Sequence, residues 1–435
     1  MKRTLILLFI IGVLAAEEGN LTLKECVGIA FKNSIELKIA DENLKQAELN
    51  KIINYAPFYP SVSLSLGDKL LGFDDNGLDI PLFAVNPDTY SASLNVSYNI
   101  YNMYKDYDQY RYAGKKYEEA ELSVSLKKQE LSYNVISAYF DVLSSEKNLE
   151  IREKTLSQKK EYLKLAESLF KAGIKPKSDY LNALVQIKKS EISLKDAEAG
   201  LKISKAGLNT LLGTAPDKEL NLEVDSNYGA PEAAYGALLE KMFKGNLDWK
   251  KINIQSEYIS ILTSLSERTL LPEISVDASY SLYLDKYAGS SAGWTHFGRL
   301  DQNSTWGISA SLSYPIFDGY TNISKFKASK SSLVIANMNI ENLKRELTRS
   351  IYVSFLEVNR IYEELEQYKV QVGLAKESLE LIKNRYQSGI SSFLDLIDAE
   401  LNYTAAEIGY YQAVYDYKLK GYDIEKLCGV KLFWQ

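Results

Sequence analysis

The sequence is poor in the residues that most metal centres and catalytic sites require. Among its 435 residues are one histidine, His296, and two cysteines, Cys26 and Cys428. A single histidine excludes multi-histidine metal centres and argues against a histidine-based catalytic triad. The sequence leaves open whether the two cysteines pair. Because nucleophile motifs, metal-ligand spacings and phosphate-binding loops are also missing, we expect a protein that is not an enzyme and needs no cofactor or metal ion.

The sequence also lacks a positive net charge and, beyond its N-terminus, a long apolar run. It has 51 basic and 57 acidic residues, a formal net charge of −6, which argues against nucleic acid as a partner. A membrane-spanning helix needs roughly 20 mainly apolar residues in a row. No segment after residue 16 has that character. Any part of the mature chain that lies in a bilayer must therefore consist of strands.

The N-terminal segment has the three-part layout of a secretory signal peptide. Lys2 and Arg3 precede an apolar run, and the small residues Ala15 and Ala16 follow it. The apolar run is too short to span a membrane, and the small residues suit cleavage. We therefore expect residues 1–16 to direct export and to be removed.

The remaining chain contains an internal duplication. The segment SLFKAGIKPKSDYLNA around Gly173 matches NRYQSGISSFLDLIDA around Gly389, and LNTLLG ending at Gly213 matches IEKLCG ending at Gly429 at the same offset. Earlier in the chain, Asn33 pairs loosely with Asn246. The duplication predicts a first repeat at 17–215, a linker at 216–231 and a second repeat at 232–435.

Each repeat is predicted to run helix, strand, strand, helix, helix. Alternation with a period of two predicts strands at about 61–72, 89–100, 273–285 and 304–315. Helical periodicity predicts helices at about 21–57, 101–171, 176–212, 232–270, 318–387 and 392–428. Pro60 and Pro272 mark the helix-to-strand junctions, because proline lacks an N–H and fixes φ. Gly173 and Gly389 lie where a left-handed C-terminal cap is wanted.

Four strands and long helices do not make one closed globule. Apolar residues at spacings of three and four, from Leu365 to Tyr386 and from Leu394 to Tyr415, predict two antiparallel helices packed as a coiled coil. Strands of about 10 residues can cross a bilayer, but the smallest membrane barrels have about eight strands. If these strands lie in lipid, two, three or more copies must pool them, because open edges are forbidden there. A soluble half-buried sheet is the alternative.

These features together resemble the TolC-type outer membrane efflux family (outer membrane factors) over about Leu21 to Val430. The most specific part is a tip motif of an aromatic residue, glycine, aspartate, an apolar residue and alanine. It occurs twice, as Phe170, Gly173, Asp179, Tyr180 and Ala183 and as Tyr386, Gly389, Asp395, Leu396 and Ala399.

The resemblance implies a mostly α fold with a transmembrane β-barrel contribution. It implies a homotrimer whose protomers each give four strands to one shared barrel of twelve, above an α-barrel that crosses the periplasm. The implied location is the outer membrane of a Gram-negative-type bacterium, in contact with outer-membrane lipid. A periplasmic adaptor protein and an inner-membrane transporter are the implied partners. Drugs, metal ions and polypeptides stay open as cargo, because selection rests largely with the transporter.

The resemblance also implies a periplasmic gate at the two helical tips. By position, Tyr386, Asp395 and Asp398 fall on the inner coil that closes this gate, and Asp179 falls on the neighbouring coil. Family members often carry an arginine where this chain has Ser391.

Two lysines of the first tip, Lys175 and Lys177, are candidates to replace the arginine that the family carries at Ser391.

Each gate residue has a simpler structural interpretation. Ser392 and Asp395 have the spacing of a capping box, Asp179 suits the first turn of a helix, and Tyr386 suits a coiled-coil seam. A second function, a coiled-coil structural or adhesin-like envelope protein without a pore, also stays open. The two-faced strand alternation in both repeats argues against that alternative.

Overall fold

The computed structural model describes residues 20–69, 89–224, 228–231, 234–285 and 304–430. The predicted signal peptide and His296 lie outside this part of the chain. The helices are α1 (Leu23–Asn33), α2 (Ile35–Ile53), α3 (Lys105–Lys171), α4 (Lys177–Leu212), α5 (Tyr235–Gly245), α6 (Leu247–Arg268), α7 (Thr321–Gln387) and α8 (Phe393–Leu427). The strands are β1 (Ser61–Lys69), β2 (Thr89–Tyr101), β3 (Glu273–Asp285) and β4 (Ser304–Ser313). A mostly helical chain with one antiparallel sheet is as predicted.

The first helix of each repeat is broken, which corrects the predictions of single helices at about 21–57 and 232–270. The break lies at Ser34 in the first repeat and at Asn246 in the second. At the first break the Ser34 hydroxyl accepts a hydrogen bond from the Leu37 N–H over 3.2 Å. At the second break the side-chain oxygen of Asn246 accepts one from the Trp249 N–H over 2.8 Å. Such side chains compete with the helical backbone and start a new helix, while the apolar period continues unchanged.

The two longest helices, α3 and α7, have 67 residues each and begin a few residues later than predicted. Before α3, Met103 and Tyr104 have positive φ angles of 54° and 64°, and Tyr320 before α7 has 65°. Arg268 at the end of α6 donates to the Met103 carbonyl over 2.7 Å and pairs with the buried Asp108. This contact helps to hold the unusual backbone between β2 and α3.

Strand order in the sheet is β1-β2-β3-β4, and every neighbouring pair is antiparallel. Pro60 directly precedes β1 and Pro272 directly precedes β3, at the junctions where they were placed. The predicted strand at about 61–72 is described as far as Lys69, and residues 70–72 lie outside the described part.

The chain forms two compact units, and each takes segments from both repeats. One unit comprises residues 1–40, 124–249 and 343–435 and contains the helical tips. The other comprises 41–123 and 250–342 and contains the sheet. Cys26 and Cys428 are both buried in the first unit and both free, so they form no disulfide. None of the helices in the described ranges is both long and apolar enough to span a membrane.

The two repeats end in the same local structure. Asn33 donates from its side-chain amide to the carbonyl of Leu212 over 2.7 Å, at the end of α4. Asn246 donates in the same way to Leu427 over 3.0 Å, at the end of α8. Gly213 and Gly429 follow these carbonyls with left-handed φ angles of 68° and 70°. Each asparagine thus satisfies a carbonyl that the ending helix leaves unpaired.

We expect Asn33→Ala and Asn246→Ala each to lower the free energy of unfolding by about 1–3 kcal/mol, because each leaves a helix-terminal carbonyl without a donor. Chemical denaturation of the purified protein measures the effect. Asn182→Ala, at an exposed position of α4, is the matched control and should change little. Equal effects of all three substitutions would contradict a capping role.

Candidate functional site: a two-faced sheet and paired helical tips

One face of the sheet is a continuous apolar surface. The register places Leu64, Leu94, Tyr280 and Trp306 in one row across all four strands. The next apolar row is Val62, Val96, Ala278 and Ile308. These side chains are uncovered at both sheet edges, with Leu64 67% and Trp306 77% exposed. An exposed apolar surface of this extent marks a site of contact with lipid or with another protein.

The opposite face of the sheet carries small polar residues. One row is Ser65, Ser93, Ser281 and Thr305, and the next is Ser63, Asn95, Ser279 and Gly307. The hydroxyls of Ser281 and Ser93 lie 3.1 Å apart and form a cross-strand hydrogen bond. A sheet that is apolar on one face and polar on the other can separate hydrocarbon from water.

The two helical tips have the same backbone structure. Helix α3 ends in a turn where Gly173 and Ile174 donate backbone hydrogen bonds to Phe170 and Leu169, over 3.0 Å and 2.9 Å. Helix α7 ends in a turn where the equivalent residues, Gly389 and Ile390, donate to Tyr386 and Arg385 over 2.9 Å each. Both glycines have left-handed φ angles, 73° and 77°. This is the glycine-dependent helix ending that the repeated motif predicted.

Lys175 connects the two tips. Its ammonium donates to the backbone carbonyls of Ser391 over 2.7 Å and of Gly389 over 3.2 Å. It also lies 5.3 Å from the centre of the Tyr386 ring, within range of a cation–π interaction. Lys177, the other candidate, is exposed at the start of α4 and has no ion pair within the described residues.

Tyr386 is fully buried below this lysine. Its ring packs against Phe393 at 5.7 Å between centroids, in a cluster that includes Leu169, Ala183 and Leu396. Its hydroxyl has no hydrogen-bond partner in the part of the chain that the structure describes. Burial, and secondarily the Asp179 carboxylate, raise the pKa of Tyr386 to about 12, so the phenol is neutral. The residue therefore has the seam role and also lies beside Lys175 and Asp179.

The aspartates of the second tip are exposed to solvent. Ser392 and Asp395 form the expected capping box: the Ser392 N–H donates to the carboxylate over 2.8 Å, and the Asp395 N–H donates to the Ser392 hydroxyl over 3.1 Å. These bonds lower the pKa of Asp395, and Arg385 and Lys175 lower it further, so it stays ionised. Asp398, one turn later on α8, is also exposed.

The tip thus brings Lys175, Ser391, Tyr386 and Asp179 together, and it leaves Asp398 and Lys177 outside that group.

The family described as outer membrane efflux protein matches residues 27–214 and 263–430. The chain belongs to this family. As an outer membrane efflux protein it is an outer-membrane channel for efflux, and not an enzyme.

Relatives of this efflux protein are distant in sequence. Outer membrane protein TolC of Escherichia coli (strain K12) is 23% identical over 353 residues, which cover 79% of this chain and 70% of that protein. Nodulation protein T of Rhizobium leguminosarum bv. trifolii is 22% identical over 394 residues, 89% of this chain and 81% of that protein.

Two solved structures match nearly the whole fold of the efflux protein. CusC has a TM-score of 0.81 at 16% identity, covering 94% of this chain and 92% of its own. VceC of Vibrio cholerae has a TM-score of 0.80 at 17% identity, covering 94% of this chain and 96% of its own.

The sequence analysis did not identify one pair of charged residues in the tip region of the efflux protein. Glu400 on α8 and Lys159 on α3 are buried next to each other, with 3.8 Å between the ammonium and the nearer carboxylate oxygen. A signal was present, because Glu400 follows Leu396 and Ile397 at the spacing of the buried stripe of α8. A carboxylate in that stripe faces the core and not solvent.

Proposed function

We propose that the protein is the outer-membrane exit duct of a tripartite efflux or type I secretion system. In this proposal it is a passive homotrimeric channel, and a periplasmic adaptor and an inner-membrane transporter open it at its periplasmic tip. The two-faced sheet carries the proposal, because it suits a wall between lipid and a water-filled lumen. A structural or adhesin-like stalk without a pore does not need a sheet with one apolar and one polar face.

The sheet edges support the pooling of strands from several chains. Strands β1 and β4 lie at the two ends of the sheet, and neither outer edge is paired by another strand among the described residues. Each backbone N–H or C=O group that lacks a hydrogen bond in hydrocarbon costs several kcal/mol. Pairing of β1 of one protomer with β4 of the next satisfies both edges. Three copies then close one barrel of twelve strands.

The contact between the tips supports a closed gate. Lys175 from the first tip holds backbone carbonyls of the second, so the two hairpins of one protomer are fastened together. Separation of the hairpins breaks these hydrogen bonds and uncovers the apolar cluster around Tyr386. An adaptor that binds the separated hairpins more tightly would shift the equilibrium towards the open channel. The transporter supplies the energy for export, and the channel itself is passive.

Single-channel recording in planar bilayers is the direct test of a pore. We expect the purified protein to form discrete conducting units, and crosslinking in the cell envelope to join it to an adaptor. A protein that inserts into bilayers and never conducts would support the stalk and contradict the duct.

The channel is expected to prefer cations, and multivalent cations are expected to block it from the tip side. Asp395 is exposed and ionised and Asp398 is exposed, so threefold symmetry would gather their carboxylates around a narrow mouth. The double variant Asp395→Asn, Asp398→Asn should lose most of the block and part of the cation preference. Reversal potentials and blocker titrations in bilayers measure both.

The matched control removes two carboxylates from the surface of α4, as Glu191→Gln with Glu198→Gln. It has the same change in charge and should keep the block. Loss of block in the control, or its retention in the aspartate variant, would contradict the assignment of the mouth.

A further inference from the structure

Glu400 is a carboxylate placed inside an apolar helix contact. It lies on α8, directly after the last residue of the tip motif, and is 1% exposed. The same face of α8 buries Leu396, Ile397 and Tyr403 in the cluster that contains Tyr386. This burial is complete within a single chain, so a neighbouring protomer cannot reach the carboxylate in this packing.

The surroundings of Glu400 do not satisfy an ionised carboxylate. Neither oxygen accepts a hydrogen bond from any residue that the structure describes. The ammonium of Lys159 is 3.8 Å from one oxygen, near enough for attraction and too far for a hydrogen bond. Lys159 is itself buried, with 7% of its side chain exposed. A buried charge with one partner and no hydrogen bonds retains much of its desolvation cost.

The other titratable groups near Glu400 do not offset this cost. On α3, Tyr162 has its pKa raised by burial first and by Glu400 second, so it is neutral. On α7, Lys383 lies 5.8 Å from the Tyr162 ring and pairs with Glu161 at 3.7 Å. On α8 itself, the hydroxyl of Tyr403 is bound by Lys154 over 3.1 Å.

Helix α4 contributes the uncharged Ala183 to the cluster, and its Asp179 acts on Tyr386. Lys159 is thus the one cation facing the carboxylate among the described residues. Burial raises the pKa of Glu400 from its ordinary 4.5 to about 7, and Lys159 lowers it in opposition.

We propose that Glu400 is a pH-sensitive switch on the packing of α8 against α3 beside the tip. Protonated Glu400 is neutral and stays in the apolar contact. Ionised Glu400 favours separation of the helices and access of water. The packed state binds the proton more tightly than the separated state does. The stability of the packed state is therefore greatest below pH 4.5, the ordinary pKa of a glutamate. It decreases as the pH rises from there and decreases no further above about pH 7.

A consequence for the channel rests on the proposed function. The tip of the duct is held closed more firmly in acid and opens more easily at neutral pH and above, because Glu400 lies between Ala399 and Tyr403 of α8, which belong to the apolar cluster around Tyr386. Conduction and helix packing can be measured separately, so a failure of the switch and a failure of the gate are distinguishable.

Hydrogen exchange of the full-length mature protein in lipid nanodiscs tests the switch between pH 5.5 and 8.5, after correction for the intrinsic exchange rate. We expect peptides covering 155–169 and 393–407 to lose protection in a step of at least about tenfold between pH 5.5 and about 7, with little further loss above it. Glu400→Gln should remove this step, and Glu400→Leu, which leaves no amide to satisfy, should remove it as well. Glu153→Gln, which removes an exposed carboxylate from α3, should keep it.

Lys159→Met separates a titrating role from a purely structural one. Loss of the ammonium should move the midpoint of the step to higher pH, while the double variant with Glu400→Gln should be as flat as Glu400→Gln alone. A flat wild type, a step that survives in both Glu400 variants, or an unmoved midpoint in Lys159→Met would overturn the proposal. An exchange step without a matching change of open probability in bilayers would overturn its link to the gate.

Discussion

Arginine in place of Leu94 is expected to abolish insertion of the protein into lipid. Leu94 lies near the middle of β2, between Leu64 and Tyr280 in an apolar row that crosses all four strands. An arginine on the lipid face of a barrel costs about 2–4 kcal/mol at the bilayer midplane, and the proposed trimer would bear that cost three times. The fraction of protein that inserts into preformed vesicles, measured by protease protection, should fall by well over tenfold.

Asn95→Arg is the matched control for this experiment. Asn95 is the next residue along β2, and its row on the opposite face contains Ser63, Ser279 and Gly307. An arginine there would face the water-filled lumen of the proposed barrel, so this variant should insert nearly as well as the wild type. Equal insertion of the two variants would contradict the assignment of the faces.

Methionine in place of Lys175 is expected to open the channel. The substitution removes two hydrogen bonds from a charged donor to the second tip, each worth about 1.5–3 kcal/mol. Since about 1.4 kcal/mol is a factor of ten in an equilibrium, the open probability in planar bilayers should rise by at least tenfold.

Two further variants separate this contact from the general effect of a lost charge. Lys177→Met removes the same charge two residues later, at an exposed position, and should leave the gate closed. Lys175→Arg keeps a cation with several donors and should restore most of the closed state. A channel that gates normally in Lys175→Met, or opens equally in Lys177→Met, would exclude the contact as the closing bond.

The duplication explains where the cation between the two tips lies. Lys175 and Ser391 each stand two residues after the left-handed glycine of their own tip. They are therefore equivalent positions of the two repeats. Family members often carry an arginine where this chain has Ser391, and here the cation stands at the equivalent position of the other repeat. The lysine reaches across to the Ser391 carbonyl, so either repeat can supply the cation for one contact between the tips.

Local chemistry made much of the fold predictable. Pro60 and Pro272 precede their strands, and the tip glycines have the left-handed backbone that no other residue adopts as easily. The alternation of serine with apolar residues gave both the strands and their two faces. These features depend on near neighbours in the chain, so the sequence displays them directly.

The remaining features depend on contacts between distant segments. The choice between Lys175 and Lys177 was not visible, because the acceptors are backbone carbonyls, which leave no trace in residue type. The helix break at Ser34 was missed, because one capping side chain does not interrupt the apolar period. Glu400 was overlooked, because charged residues on long helices are mostly solvated.

Crosslinking between the two sheet edges tests most directly whether several copies of this chain join their sheets into one continuous barrel. Cysteines are introduced in β1 at Ser63 and in β4 at Gly307, Ser309 or Ser311 in turn, in a background where Cys26 and Cys428 are replaced by alanine. We expect mild oxidation of the membrane-inserted protein to yield covalent products that end at three chains. A cysteine pair at Ser65 and Ser93, opposite each other within one sheet, reports that oxidation works. Efficient formation of that internal bond with only single chains in every edge variant would contradict the account.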